Sequence, residues 1–207
     1  MDVFIPGPNQ GNIFVTALII LGLVMISSKA KMLDRAGVFA AAVLGMTVGA
    51  LGHWTWLLIL LGFLLSAHKA TKWRFDEKLE RGMSESNDGH RSYDNVIANG
   101  GLPGIVAIFA FVTEEWETGL WMFSAAVAVA ASDTFASEIG CLDDNVRMIT
   151  TFKRCEAGIN GGFSPSGQFA ALAGSGLIGV LSFPAWYFTT GITDIQIGLT
   201  LSAAVVV

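Results

Sequence analysis

From Ala36 to His68 the chain carries no Asp, Glu, Lys or Arg. A run of that length leaves no face that prefers water. In an apolar medium its backbone amides and carbonyls must be satisfied within the segment, which favours helices. Similar runs recur, and they predict seven apolar helices, over about 12–27, 36–52, 54–68, 96–112, 119–139, 167–188 and from 195 to the end. Composition agrees. Of 207 residues, 53% are hydrophobic and only 14% charged, against about 25% charged in soluble domains. The expectation is an all-α, polytopic membrane protein with six to seven transmembrane helices. Several segments fall short of the ~20 residues of a perpendicular span, so tilting or breaks are expected, with Pro103 and Pro184 as break points. The opening "MDVFIPGPNQGN" has no basic region ahead of its apolar run and does not read as a cleavable leader.

The basic residues sort by loop. Lys29, Lys31 and Arg35 follow the first run. Lys69, Lys72, Arg74, Lys78, Arg81 and Arg91 follow the third, and Arg147, Lys153 and Arg154 the fifth. These are all 12 Lys and Arg, and each lies in an odd-numbered loop. Positive charge collects on the cytoplasmic side, which predicts an outside N-terminus and a cytoplasmic face built from the odd loops, in the cell membrane. The whole of 1–207 reads as one membrane domain, with a charged cytoplasmic insertion at 69–95. There "KATKWRFDEKLERG" reads as a helix with a Glu77–Arg81 pair at i,i+4, and "MSESNDGHRS" as a loop. The chain ends in "IQIGLTLSAAVVV", in mid-run, so a continuation beyond Val207 is expected.

One apolar run ends in "AASDTFASEIG" (130–140). A carboxylate at bilayer depth costs about 2.5–3.5 kcal/mol even on a mild scale, so Asp133 and Glu138 demand a reason. Asp133, Ser137 and Gly140 share a helix face at i, i+4 and i+7. Glu138 points roughly 140° away from Asp133, so either the helix unwinds or one acid binds a ligand while the other supports structure. Carboxylate beside hydroxyl suits Mg²⁺, which takes one or two carboxylates plus phosphate oxygens. The second informative stretch is "TTFKRCEAGINGGFSPSGQ" (150–168). Lys153 and Arg154 supply positive charge. Gly158, Asn160, Gly161 and Gly162 offer exposed amides in a loop free to take positive φ, leading into a helix near Gly167, which together make an anion site. Metal, charge neutralisation and positioning are the parts of phosphoryl transfer. Asn99-Gly100-Gly101, read as the opening of the fourth helix, could complete a polar pocket. His53, His68 and His90 are unclustered, and Cys141 and Cys155 lack metal-ligand spacing. There is no GxxxxGK[ST] and no protein-kinase motif set. With a net charge of −5, nucleic acid is not an expected partner.

"RSYDNVIANGG", "ASDTFASEIG" and "GINGGFSPSG", in that order between apolar helices, resemble the integral-membrane family that contains plant phytyl-phosphate kinase and the animal transmembrane protein nineteen. The resemblance runs from about Lys69 to about residue 180. It implies transfer of a phosphoryl group from a nucleoside triphosphate, CTP foremost, to a membrane-embedded isoprenyl monophosphate such as phytyl or geranylgeranyl phosphate. It places Asp133, Glu138 and Lys153 in catalysis, with Asp133 and Glu138 holding Mg²⁺. It places Ser137, Arg154, Gly158, Asn160, Gly161, Gly162 and Ser164 at the nucleotide phosphates, with Arg91 and Asn99 as outer members. Two positions depart from its pattern, Ile159 before Asn-Gly-Gly and Phe163 after it, and its late Asp-Ser-x-x-Gly-Ala helix has no counterpart here. A carrier or flippase for a phosphorylated lipid or anion is the competing reading. It would need a polar path on both sides, whereas the polar motifs gather at one.

Overall fold

The computed structural model describes residues 2–206 apart from Glu85, Asn87, Ile192 and Thr193. Part of the 83–92 loop and of the 189–194 turn therefore lies outside the described residues. The chain is a helical bundle with six helices long and apolar enough to cross a membrane. In order these are α1 (Gln10–Ala30), α2 (Arg35–Met46) with the π-helical turn that extends it to Gly52, α3 (Trp54–Lys72), α5 (Tyr93–Thr113), α6 (Trp116–Gly140) and α7 (Pro165–Thr190). Two shorter helices join them, α4 (Phe75–Glu80) and α8 (Ile195–Ala204). A two-residue antiparallel pair, β1 (Arg147–Met148) and β2 (Gly162–Phe163), closes the loop between α6 and α7.

Helix ends follow from local chemistry. The α5 helix starts three residues earlier than its apolar run. Ser92 and Asn95 form a reciprocal capping box there, which satisfies amides that a helix start leaves open. Asn99 consequently lies inside the helix rather than at its opening. The expected breaks at Pro103 and Pro184 do not occur, since α5 and α7 run through both. The break falls instead at the end of α2, which widens into a π-helix over Thr47–Gly52. The expected helix over 69–82 is also divided. The α3 helix ends at Lys72, Arg74 takes φ 51°, and α4 restarts at Phe75.

The core lies where α3, α5, α6 and α7 meet, around Trp56, Phe63, Ala107, Phe123, Val127, Ile178 and Trp186. Large apolar side chains are also exposed around the rim, among them Phe14, Leu18 and Leu21 on α1, Val129 on α6 and Phe169 and Val180 on α7. An apolar rim around an apolar core is the pattern of a bundle solvated by lipid. The α6–α7 contact is the most extensive. A Cβ on Gly174 would stand 2.7 Å from the Ala131 carbonyl oxygen, and one on Gly140 would stand 3.1 Å from the Gly167 Cα. Ser132 Oγ donates to the Ala171 carbonyl at 3.0 Å. Small residues let these backbones approach, and dispersion replaces the hydrophobic effect that lipid does not supply.

The two ends of the bundle are built differently. At the N-terminal end a closed polar network fills the widened turn. Asn12 Nδ2 donates to the carbonyls of Gly7 (2.8 Å) and Gly49 (2.7 Å), and its Oδ1 accepts from Trp54 N (2.8 Å). His53 pairs Nδ1 with the Thr55 hydroxyl (2.8 Å) and Nε2 with the Val3 carbonyl (3.2 Å). Asn12 and His53 are fully buried. His53 is thus a core histidine of this network. The other end holds α4, the β1–β2 hairpin and the loops that carry all twelve basic residues.

Candidate functional site

The α6 helix carries both acids of the 130–140 stretch to this basic end without unwinding. On a continuous helix the ~140° between them sends each to a different neighbourhood. Asp133 faces an open pocket of ≈ 850 Å³ that also takes in Ser137, Gly140 and Cys141. Among the described residues, no hydrogen bond or ion pair reaches the Asp133 carboxylate. Glu138 faces the bundle. Its Oε2 receives Lys78 Nζ at 2.8 Å, and its Oε1 receives the Thr71 hydroxyl and stands 3.8 Å from an Arg91 amino group. Lys78 is completely buried, and its ammonium also donates to the carbonyls of Ala70 (2.8 Å) and Thr71 (3.1 Å) at the end of α3. Each of its three protons therefore has an acceptor. The arrangement gives Glu138 to structure, and the two-acid metal site expected from sequence is not assembled. Of these two acids Asp133 faces the pocket, where Glu156 of the facing loop also lines the wall.

The pocket's opposite wall is the 156–164 loop. Gly158 and Gly161 take φ of 83° and 84°, a conformation glycine reaches without penalty. Gly158, Asn160, Gly161, Gly162 and Ser164 all line the pocket. No backbone bond among the described residues uses the amides of Gly158, Asn160 or Gly161, whereas Gly162 N is turned back onto the Ile159 carbonyl at 2.9 Å. The start of α7 is less available than its position suggests. Ser164 Oγ caps Gly167 N at 3.1 Å, and Asp143 Oδ2 accepts from both the amide (3.1 Å) and hydroxyl (2.6 Å) of Ser166. Those bonds, the Ser166 hydroxyl foremost, hold the Asp143 carboxyl below its usual range. The helix end is already matched by an anion, so the open donors are those of the loop.

The cations are distributed otherwise than sequence suggested. Lys153 and Arg154 are exposed and do not line the pocket, and Arg154 instead reaches Asn145 Oδ1 at 3.3 Å. Arg81 lines it, as do Gly82, Met83 and Ser84 that follow α4. Its guanidinium holds Glu77 at 2.7 Å, the expected i,i+4 pair, and Asp144 at 3.4 Å. From sequence Arg81 reads only as the i,i+4 partner of Glu77 in the charged insertion. What brings it over the pocket is buried Lys78, three residues earlier, pinned to α6. Arg91 and Asn99 lie elsewhere, along a separate apolar slot among α1, α2, α3 and α5. Burial raises the Cys141 thiol above its ordinary pKa.

The donor set can be tested for Mg²⁺. No cluster of three or more His, Cys, Asp or Glu suited to a metal exists among the described residues. One unengaged carboxylate with a hydroxyl one turn on fits a metal that arrives with phosphate oxygens of its own.

Comparison with known proteins agrees with this architecture. The family model described as Integral membrane protein DUF92 matches residues 18–207, and the chain belongs to that family. An uncharacterized membrane protein of Methanocaldococcus jannaschii, MJ0933, is 33% identical over 172 residues, covering 83% of this chain and 70% of that protein. Protein PGR of Arabidopsis thaliana is 30% identical over 181 residues, covering 80% of this chain and 62% of its own length. No solved structure matches.

Proposed function

We propose that this member of the DUF92 family is a membrane kinase that transfers the γ-phosphoryl group of a nucleoside triphosphate, CTP foremost, to an isoprenyl monophosphate. The observation that carries the reading is the pocket itself. An unengaged carboxylate, an arginine and a glycine loop with open amides converge on one cavity at a single end of the bundle. The loop amides of Gly158, Asn160 and Gly161 would cradle phosphate oxygens, and Arg81 would neutralise charge. Asp133, with Ser137 beside it, would hold Mg²⁺ bound to the nucleotide, and the metal would screen the phosphates from one another. Below Asp133 on the same α6 face is Val129, 70% exposed, and on α7 Phe169 and Leu172 are 74% and 57% exposed. That strip gives a prenyl tail a lipid-facing bed leading to the carboxylate. An oxygen of the acceptor phosphate would attack the γ-phosphorus, the bond to the β–γ bridging oxygen would break, and a nucleoside diphosphate would leave. The acceptor is already anionic and needs no general base. A carrier would need an aqueous polar path at the other end as well, where the Asn12–His53 network is buried and internally bonded.

The test is a transfer assay. Purified protein in detergent is given Mg²⁺, γ-labelled CTP or ATP, and geranylgeranyl or phytyl monophosphate. Labelled prenyl diphosphate is the expected product. Absence of transfer with every nucleotide, from protein that still binds Mg²⁺–nucleotide, would remove the kinase assignment. Gly161→Val should abolish nucleotide binding in a folded protein, since valine tolerates φ near 84° poorly. We also propose that the pocket faces the cytoplasm. Lys153→Cys and Glu115→Cys, both at exposed positions, should label from opposite sides of intact cells, with 153 inside.

A further inference from the structure

Lys153 and Arg154 stand outside the loop pocket, and the turn that carries them has a character of its own. From Asn145 to Cys155 the chain holds three bases, Arg147, Lys153 and Arg154, and no acid. All three are exposed. At α4, by contrast, Arg74 and Arg81 both hold Glu77. Among the described residues no carboxylate forms an ion pair with the turn's cations. Arg147 gives one nitrogen to the Phe152 carbonyl at 2.9 Å and Arg154 gives one to Asn145 Oδ1 at 3.3 Å, both neutral acceptors. No bond among the described residues engages the Lys153 ammonium.

The tip of this turn is apolar. Ile149 is 60% exposed and Phe152 is 64% exposed, with Thr150 and Thr151 open between them. The backbone is firmly held. An antiparallel bridge joins Arg147 to Arg154. Phe152 N donates to the Met148 carbonyl and Ile149 N to the Gly161 carbonyl, both at 2.8 Å. Closing the turn puts Phe152 at φ 56°, where a bulky residue is an outlier and glycine is relaxed. For the backbone alone glycine would serve better. The ring stays largely in the open and meets Phe163 edge-on, with centroids 6.1 Å apart. Ile149 follows closely on buried Val146, which lines the pocket together with Gly140 at the end of α6. The tip therefore reaches at most about 10 Å beyond Val146. A headgroup layer is about 5–8 Å deep on each side of a bilayer. A tether that short, after a spanning helix, keeps the tip within reach of the headgroups.

We propose that the 147–154 turn docks on the bilayer around the bundle, with Ile149 and Phe152 set into the interface and Arg147, Lys153 and Arg154 on anionic phospholipid headgroups. Exposed apolar side chains beside cations that have no carboxylate partner are what an interfacial segment requires. Charge complementarity names the lipid, because each Lys or Arg at an anionic surface raises binding about fivefold. A zwitterionic surface offers no such gain. The occupant is bulk phospholipid rather than a substrate, and the proposal does not depend on the kinase assignment.

The test uses purified protein in nanodiscs of phosphatidylcholine, alone or mixed with phosphatidylglycerol. Thr150→Cys, in a chain with Cys141→Ala and Cys155→Ala, carries an environment-sensitive fluorophore, and nitroxide-labelled lipid is the quencher. Stronger quenching is expected in the anionic discs, and added salt should weaken it. Lys153→Gln should weaken the engagement about fivefold. Phe152→Gly should weaken it about tenfold and leave the melting temperature equal or higher, since glycine relaxes the φ of 56°. If the cysteine-substituted chain does not melt cooperatively, hydrogen exchange over 147–154 of the unmodified chain makes the same comparison, with slower exchange expected in the anionic discs. Equal quenching or equal exchange in the two kinds of disc would overturn the proposal, as would full quenching in Phe152→Gly. So would an unquenched probe in the anionic discs, the result for a turn reserved for an acidic protein partner.

Discussion

The two ends of the bundle solve the same problem in opposite ways. Each places polar groups where helices leave the apolar core. At the N-terminal end Asn12 gives both amide protons and its carbonyl oxygen to backbone partners, and His53 uses both ring nitrogens. Both of these side chains are fully matched within the fold. At the basic end Asp133 has no partner among the described residues, and three loop amides are left open. The same contrast recurs within one helix. Glu138 is engaged on both oxygens, while Asp133, less than two turns away, is engaged on neither. A carboxylate and loop amides left open at a pocket are groups that an external ligand can complete.

The largest expected effect tests the open member. Asp133→Asn should lower Mg²⁺-dependent transfer by about 10²–10³-fold and leave the melting temperature without nucleotide unchanged or higher. A fall in that temperature with nucleotide stabilisation intact would place Asp133 on the structural side of the contrast. Next is Glu138→Gln, which strands the buried ammonium of Lys78. A loss of about 3–5 kcal/mol is expected, read by denaturation in detergent, and the paired change Lys78→Met with Glu138→Leu should recover most of it. Asn12→Leu comes third. It leaves the Gly7 and Gly49 carbonyls and the Trp54 amide without their partner, at about 1–3 kcal/mol, with no effect on nucleotide binding.

The smallest effect is a pH dependence. Burial lowers the His53 pKa to about 4, against 6.5 when exposed. The unfolded chain therefore takes up a proton before the folded one does. Stability from neutral His53 is full above pH 6.5 and falls as pH drops toward 4, by about 2 kcal/mol at pH 5. The difference between the melting profiles of the parent chain and His53→Gln isolates this term. Parallel profiles would mean that water reaches the ring.

The spans were legible because an apolar run has one physical reading in a long chain of few charges. The cut at Thr47–Gly52 was not, because the Asn12 side chain that supports it lies 37 residues from Gly49. The divergence of the two acids was legible from helical periodicity alone. Which one served structure was not, since Lys78 lies 60 residues from Glu138. Sequence proximity suggested Lys153 and Arg154 as the pocket's cations, but the hairpin leaves both at the surface. Arg81 was overlooked because its i,i+4 bond to Glu77 already explained it. Glycine in the loop was readable because positive φ is a local demand. The supply of charge to that loop is a tertiary matter.

The glycine contacts between α6 and α7 also have a mechanical consequence. With Gly174 against the Ala131 carbonyl and Gly140 against Gly167, there is no slack for these helices to slide or part. The wall that carries Asp133 and the start of α7 is a fixed jaw. The opposing segment, 81–84, is bonded mainly to α4 itself, through Arg81 to Glu77 and Met83 N to the Lys78 carbonyl, and reaches the rest of the bundle through the Lys78 ammonium and through Arg81 to Asp144, whose side chain is 87% exposed. Any tightening around a bound molecule must come from that side.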